Sequence, residues 1–228
     1  MTGEPLLAIE TSTCEASVAL WLGGGIVFEE SFVSDRGHNS LLFGPLGRAL
    51  EALGDGAPGR VLTGTGPGSY AGTRVGIAAA HGVAIARGCG VTGVPSLLAT
   101  PEARAGRDSL AVGDARRGAW WTAEIGAGGA VAGPELCDAG ELARRVALTL
   151  ERGEAVASFD PVGRLGLPEE ISDRVVPARP SARRLIEAWL ELPEAGRARH
   201  ADRSAEPCYL RPPHITQAKK GHPLFRQR

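Results

Sequence analysis

Arg60 to Arg87 reads RVLTGTGPGSYAGTRVGIAAAHGVAIAR. A short apolar run, Val61-Leu62, breaks into Gly64, Gly66, Pro67, Gly68 and Gly72. After Gly72 the pattern turns helical, with Thr73 as the expected N-cap and Val75, Ile77, Val83 and Ile85 following. Strand, glycine loop and helix in this order leave backbone N–H groups and a positive helix end at one place. An anion fits such a place. So does a plain alternative, a tight turn before a helix packed closely through Ala78, Ala79, Ala80, Gly82, Ala84 and Ala86. No Gly-Lys-Ser/Thr follows the glycines, so the loop is not a P-loop, and Pro67 and the glycine spacing depart from the dinucleotide fingerprint.

On the N-terminal side, Leu6-Leu7-Ala8-Ile9 is a continuous apolar run, as in a strand buried on both faces. The polar turn Glu10-Thr11-Ser12-Thr13 separates it from a second strand, Ala16 to Leu22. A third runs from Ile26 to Val33, after Gly23-Gly24-Gly25. An acid with two hydroxyls in that turn suits a metal-phosphate group or the turn's own backbone. Ser40 to Leu53 reads as a helix whose Leu42, Leu46, Ala49 and Leu53 form one stripe, suited to burial in the chain's own core or, in part, to a partner helix. Pro45 fits its first turn. His38 stands alone before it.

On the C-terminal side, Val91 to Val94 is a strand, and Pro95-Ser96 opens a helix to about Ala105. The order then repeats. Leu110 to Val112 is a strand ending in the polar turn Asp114–Gly118. Ala119 to Ile125 places Trp120 and Trp121 on opposite faces. Ala130 to Leu136 is a third strand, and Asp138 caps a helix ending near Arg152. Ala155 to Ser158 is a strand and Ser181 to Leu192 a last helix. The chain therefore divides into lobes 1–105 and 106–228, whose polar turns would face one cleft. From Pro207 onward there is no Asp or Glu, but there are Arg211, Lys219, Lys220, Arg226 and Arg228. Such a tail suits phosphate contacts or a solvated end.

Composition narrows the classes. The 228 residues carry a net charge of −1, so no overall basic field draws the chain to nucleic acid. Cys14, Cys89, Cys137 and Cys208 show neither a CxxC pair nor metal spacing. The N-terminus has no basic region before a short apolar run, and no run approaches a membrane span. A cytoplasmic protein without membrane contact is expected.

LLAIETSTCEASVAL, GTGPGSYAGTRVGIAAAHGVAIA, VGDARRGAWW and PCYLRPP closely resemble, in order and over almost the whole chain, the TsaB (YeaZ) family. The family's fold is that of actin, hexokinase and Hsp70, an α/β fold of two βββαβα lobes. The resemblance implies a scaffold subunit without catalysis of its own. It would pair with a homologous TsaD-type catalytic subunit and work with a TsaE-type ATPase. That subunit transfers a threonylcarbamoyl group to adenosine 37 of tRNAs reading ANN codons, so contact with tRNA is indirect. Alone, the chain would form a homodimer through helices 41–53 and 73–87. The interface would then include Leu42, Leu46, Ala49, Leu53, Arg74, Ile77, Ala78, His81 and Gly82.

Two departures agree with lost chemistry. The catalytic relative holds a metal through His-x-x-x-His, whereas no two of His38, His81, His200, His214 and His222 are four apart. Active kinases of this fold carry Asp-x-Gly-Thr/Ser where this chain has Glu10-Thr11-Ser12-Thr13. No Ser-His-Asp or Cys-His pattern supports a peptidase. No catalytic or metal-binding residue is expected and no cofactor is required. Weak ATP or ADP with magnesium at an interface stays open, through Glu10, Thr11, Ser12, Gly66, Gly68, Ser69 and Asp114. The alternative reading is a small-molecule kinase that uses those same residues.

Overall fold

The computed structural model describes residues 3–33, 41–104, 107–127, 129–201 and 203–211. Strands β1 (Leu6–Glu10), β2 (Glu15–Leu22) and β3 (Gly25–Val33) form an antiparallel meander. Helix α1 (Phe43–Leu53), β4 (Arg60–Gly64), α2 (Tyr70–Arg87) and β5 (Gly90–Val94) follow. Strand β4 lies parallel to both β1 and β5, so the first sheet has the order β3-β2-β1-β4-β5.

The second half repeats the plan. Strands β6 (Ser109–Asp114), β7 (Trp120–Ile125) and β8 (Val131–Cys137) are antiparallel neighbours. Helix α3 (Ala139–Glu151) leads to β9 (Ala155–Ser158), a short helix α4 (Glu169–Ser172) and β10 (Val176–Pro177). Again the strand after the helix lies parallel to the first of its set, giving β10-β9-β6-β7-β8. Helices α5 (Ala182–Glu191) and α6 (Glu194–Ala201) complete the described elements.

Alternation along β1 decides the layers. Leu7 and Ile9 point to one face and share a core with Val18, Leu20, Val61, Leu46, Ala49 and Ala80, under α1 and α2. Leu6 and Ala8 point to the other face. There they join Leu185, Ile186 and Trp189 of α5, and Ala111, Trp121 and Ile125 of the second sheet. Helix α5 rests on β1, β2 and β4, although its sequence position is in the second repeat. The far face of the second sheet, with Leu110, Val112 and Val156, packs on Leu142, Val146 and Leu150 of α3. The two tryptophans divide as the alternation predicts: Trp121 is buried in the central core and Trp120 packs toward α3.

Several expectations need correction. Helix α2 begins at Tyr70, and its N-cap is Ser69, whose hydroxyl accepts from Gly72 N at 3.1 Å. Thr73 is a buried residue of the first turn. The helix read from Ser96 to Ala105 is instead two 3-10 turns, Ser96–Leu98 and Glu102–Arg104. Pro101 between them offers no N–H and disfavours helical geometry at Thr100. Asp138 does cap α3, accepting from Glu141 N at 2.8 Å. His38, Ser40 and the tail lysines lie outside the described residues.

Candidate functional site

The end of β1 and the glycine loop meet as one packed unit. Glu10 is fully buried. Its Oε1 accepts from Ser12 N at 2.7 Å and its Oε2 from the Ser96 hydroxyl at 2.8 Å. The same hydroxyl accepts from Gly66 N at 3.0 Å, and Ser96 N donates to Gly66 O at 3.0 Å. Desolvation pushes the Glu10 carboxyl above its usual range, against the hydrogen bonds from Ser12 and Ser96 that favour its charged form.

The neighbouring turn closes on the loop in the same way. Ser69 N donates to Ser12 O at 2.6 Å, and the Thr11 hydroxyl donates to Gly72 O at 2.8 Å. A methyl group at Gly64 would overlap the Glu10 carboxylate; at Gly68, Ser12 O; at Gly72, Thr11 O. These glycines are required because the Glu10 carboxylate, at Gly64, and backbone carbonyls of the turn after β1, at Gly68 and Gly72, occupy the space beside them. The structure therefore brings Glu10, Thr11, Ser12, Gly66, Gly68 and Ser69 together, with protein groups packed against Gly64, Gly68 and Gly72. The plain alternative is met in part: the turn is tight and Ala79, Ala80 and Ala84 of the helix are buried, whereas Ala78, Gly82 and Ala86 are exposed.

Asp114 lies in a different cluster. Its carboxylate accepts from Arg116 N at 2.7 Å and from Arg116 Nη1 at 2.8 Å, while Asp114 N donates to Asp160 at 2.9 Å. Among the described residues no hydrogen bond or ion pair joins Asp114 to Glu10 or to the glycine loop. No group of three His, Cys, Asp or Glu residues there is placed to hold a metal ion.

The residues expected at an interface separate into two sets. Leu42, Leu46 and Ala49 turn into the chain's own core, and Ile77 is buried as well. The stripe on α1 is thus a packing face, as its spacing alone suggested, which corrects the partner seam implied by the family resemblance. Leu53 is half-buried against the same core. Outward on α2 stand Ala71, Ala78, His81, Gly82, Ile85 and Ala86, all exposed, with Arg74 half-buried in line with them. Ile85 is 84% exposed, and a side chain added at Gly82 would meet open space. On α1, Phe43 is exposed too.

One contact to this face was not legible beforehand. The segment after α6 returns to the glycine loop, where Cys208 N donates to Thr65 O at 2.8 Å. Tyr209 then reaches α2, its hydroxyl accepting from Arg74 Nε at 2.9 Å. The Arg74 guanidinium lies 3.5 Å from the centre of the Tyr70 ring and 5.1 Å from that of Tyr209. The segment from Pro207 read as a phosphate-contacting or solvated tail, and its first residues pack on the loop and α2 instead. Nothing in it named Arg74 as the partner, since 135 residues separate the two.

Two repeated sheets of matching strand order, each begun by an antiparallel meander and continued by parallel crossovers, define a two-lobed α/β protein of the actin-like class. No family model and no curated protein matches the sequence. Solved structures do. One is a Pseudomonas aeruginosa protein described as uncharacterized, with similarity to peptidase YeaZ. It is 22% identical, with a TM-score of 0.67, covering 92% of this chain and 100% of its own. Another is YeaZ from the same organism, 22% identical with a TM-score of 0.66, covering 91% of this chain and 100% of its own. At this identity the likeness speaks for the fold. No helix among the described residues is long and apolar enough to cross a membrane.

Proposed function

We propose that this chain is a YeaZ-like scaffold subunit. It pairs with a TsaD-type transferase and, with a TsaE-type ATPase, supports threonylcarbamoylation of adenosine 37 in tRNA. The observation that carries this reading is the outward face of α2. Ala71, Ala78, Gly82 and Ala86 are exposed there on a long, regular helix, and small residues let a second helix approach closely. Likeness of the whole chain to YeaZ supports the reading, as do the four sequence motifs. So does the packing of Glu10, Ser12 and Ser96 against the glycine loop, which gives that loop a structural task. Nothing in that arrangement favours the kinase reading. In the absence of the catalytic subunit, the same face pairs two copies more weakly.

Replacing Gly82 with Leu tests it. The side chain enters open space in the isolated chain, so folding is kept, while a close helix contact is overpacked at about 1–3 kcal/mol. Co-purification with the TsaD-type subunit should fall sharply while the melting temperature holds. Undiminished recovery of the pair would refute the docking face. Ala79 is unsuitable for this purpose, because it belongs to the chain's own core.

A further inference from the structure

We propose that Arg74 is the charge that selects the partner, by meeting a carboxylate on the protein that docks against α2. This rests on the docking reading above.

The guanidinium is already held in place. It stacks on Tyr70, faces Tyr209, and donates through Nε to the Tyr209 hydroxyl. Both rings are about half exposed, so the site opens at the surface. An arginine ordered in this way loses little further freedom on binding, and its planar fork suits a carboxylate held through two N–H groups.

Among the described residues its charge is nevertheless unmatched. Arg48, Arg116, Arg144, Arg145, Arg152, Arg179, Arg183 and Arg184 each meet an Asp or Glu within 4 Å. No carboxylate among the described residues lies that close to Arg74. Helix α2 contains no Asp or Glu at all, and its other arginine, Arg87, donates to Gly54 O and Gly56 O. The strap that brings Tyr209 continues into Arg211, with no acid from Pro207 onward.

Position completes the argument. Ala71 and Ala78 lie three residues before and four after Arg74, on the same side of the helix. A partner helix seated over the small residues therefore passes Arg74. A second copy offering its own α2 brings another cation and no acid, so charge favours a different, acid-bearing chain over self-pairing.

The test is calorimetric titration of the full chain with the TsaD-type subunit of the same organism, at low and high salt. Wild type, Arg74→Glu, Arg74→Lys, Arg74→Met and Gly82→Leu are compared, with melting curves as a folding control. Arg74→Glu should weaken binding by at least about thirtyfold. Arg74→Met should lose most of the salt dependence while keeping the aliphatic stack, which covers the case where the reversal unfolds the chain. Arg74→Lys should fall between wild type and Met, and reversal of one acid on the partner should rescue Arg74→Glu. If Arg74→Glu and Arg74→Met bind as wild type does while Gly82→Leu fails, the inference is overturned and the docking face stands. Should Gly82→Leu also bind normally, the docking reading itself fails. Competition by inorganic phosphate, with no rescue from the partner's acids, would overturn a carboxylate in favour of a phosphate.

Discussion

The hydroxyl of Ser96 is shared between Glu10 and the glycine loop. It donates to Glu10 Oε2 at 2.8 Å and accepts from Gly66 N at 3.0 Å. One side chain thus joins the end of β1, the loop after β4 and the turn after β5. Ser96→Ala would leave a buried carboxylate oxygen and a backbone N–H without their partner. The expected loss is about 1–3 kcal/mol, read from urea unfolding, and an unchanged midpoint would show that the network does not stabilise the fold.

Glu10 adds a pH dependence of known sign. Its folded pKa lies above the 4.5 of the free group, so the folded chain binds this proton more tightly than the unfolded one. The contribution of Glu10 to stability is therefore greatest below pH 4.5 and declines as pH rises through the folded pKa. Glu10→Gln carries no titrating proton. Its stability, followed from about pH 4.5 to 8, should lack that decline. Parallel curves for the two proteins would contradict the shift.

The two faces of the helical layer predict opposite responses. Leu46 is 5% exposed beneath α1, and Leu46→Ala should cost about 2–5 kcal/mol. Gly82 sits inside α2 with nothing near it, so Gly82→Ala should raise stability by about 0.5–1 kcal/mol. Chemical denaturation of both variants, dilute enough for the chain to be monomeric, checks the pair, and a destabilised Gly82→Ala would mean that the chain's own residues cover the face.

Tyr209 fastens the strap to α2. Tyr209→Ala removes both the ring and the hydroxyl from Arg74. Hydrogen exchange at the Cys208 amide, bonded to Thr65 O, should accelerate, while the amides of β1 keep their protection. Equal exchange in the two proteins would show that the Cys208 amide holds the strap without it.

Local pattern carried most of the architecture. Apolar runs bounded by glycine marked both antiparallel meanders, and Asp138 marked the start of α3. Boundaries failed where a distant group decided them. Ser69 prevailed over Thr73 as the cap because Ser69 N is also tied to Ser12 O. The turn at Ser96 is fixed by Gly66 and Glu10, from other elements. The leucine stripe of α1 was legible as apolar, yet only packing showed that Leu42, Leu46 and Ala49 face inward. For the candidate site, the glycine positions were visible in sequence and their occupant was not. A glycine demanded by an approaching phosphate reads the same as one demanded by an approaching carbonyl.

Helix α5 has a mechanical consequence. Leu185 and Ile186 are fully buried in a core that also contains Leu6, Leu62, Trp121 and Ile125, from both sheets. Prising the halves apart would strip these side chains of their neighbours and flood a continuous oily seam. The molecule should move as a single block under thermal agitation, without the jaw-like breathing that a cleft between loosely joined halves would permit. Whatever binds it meets a preset template.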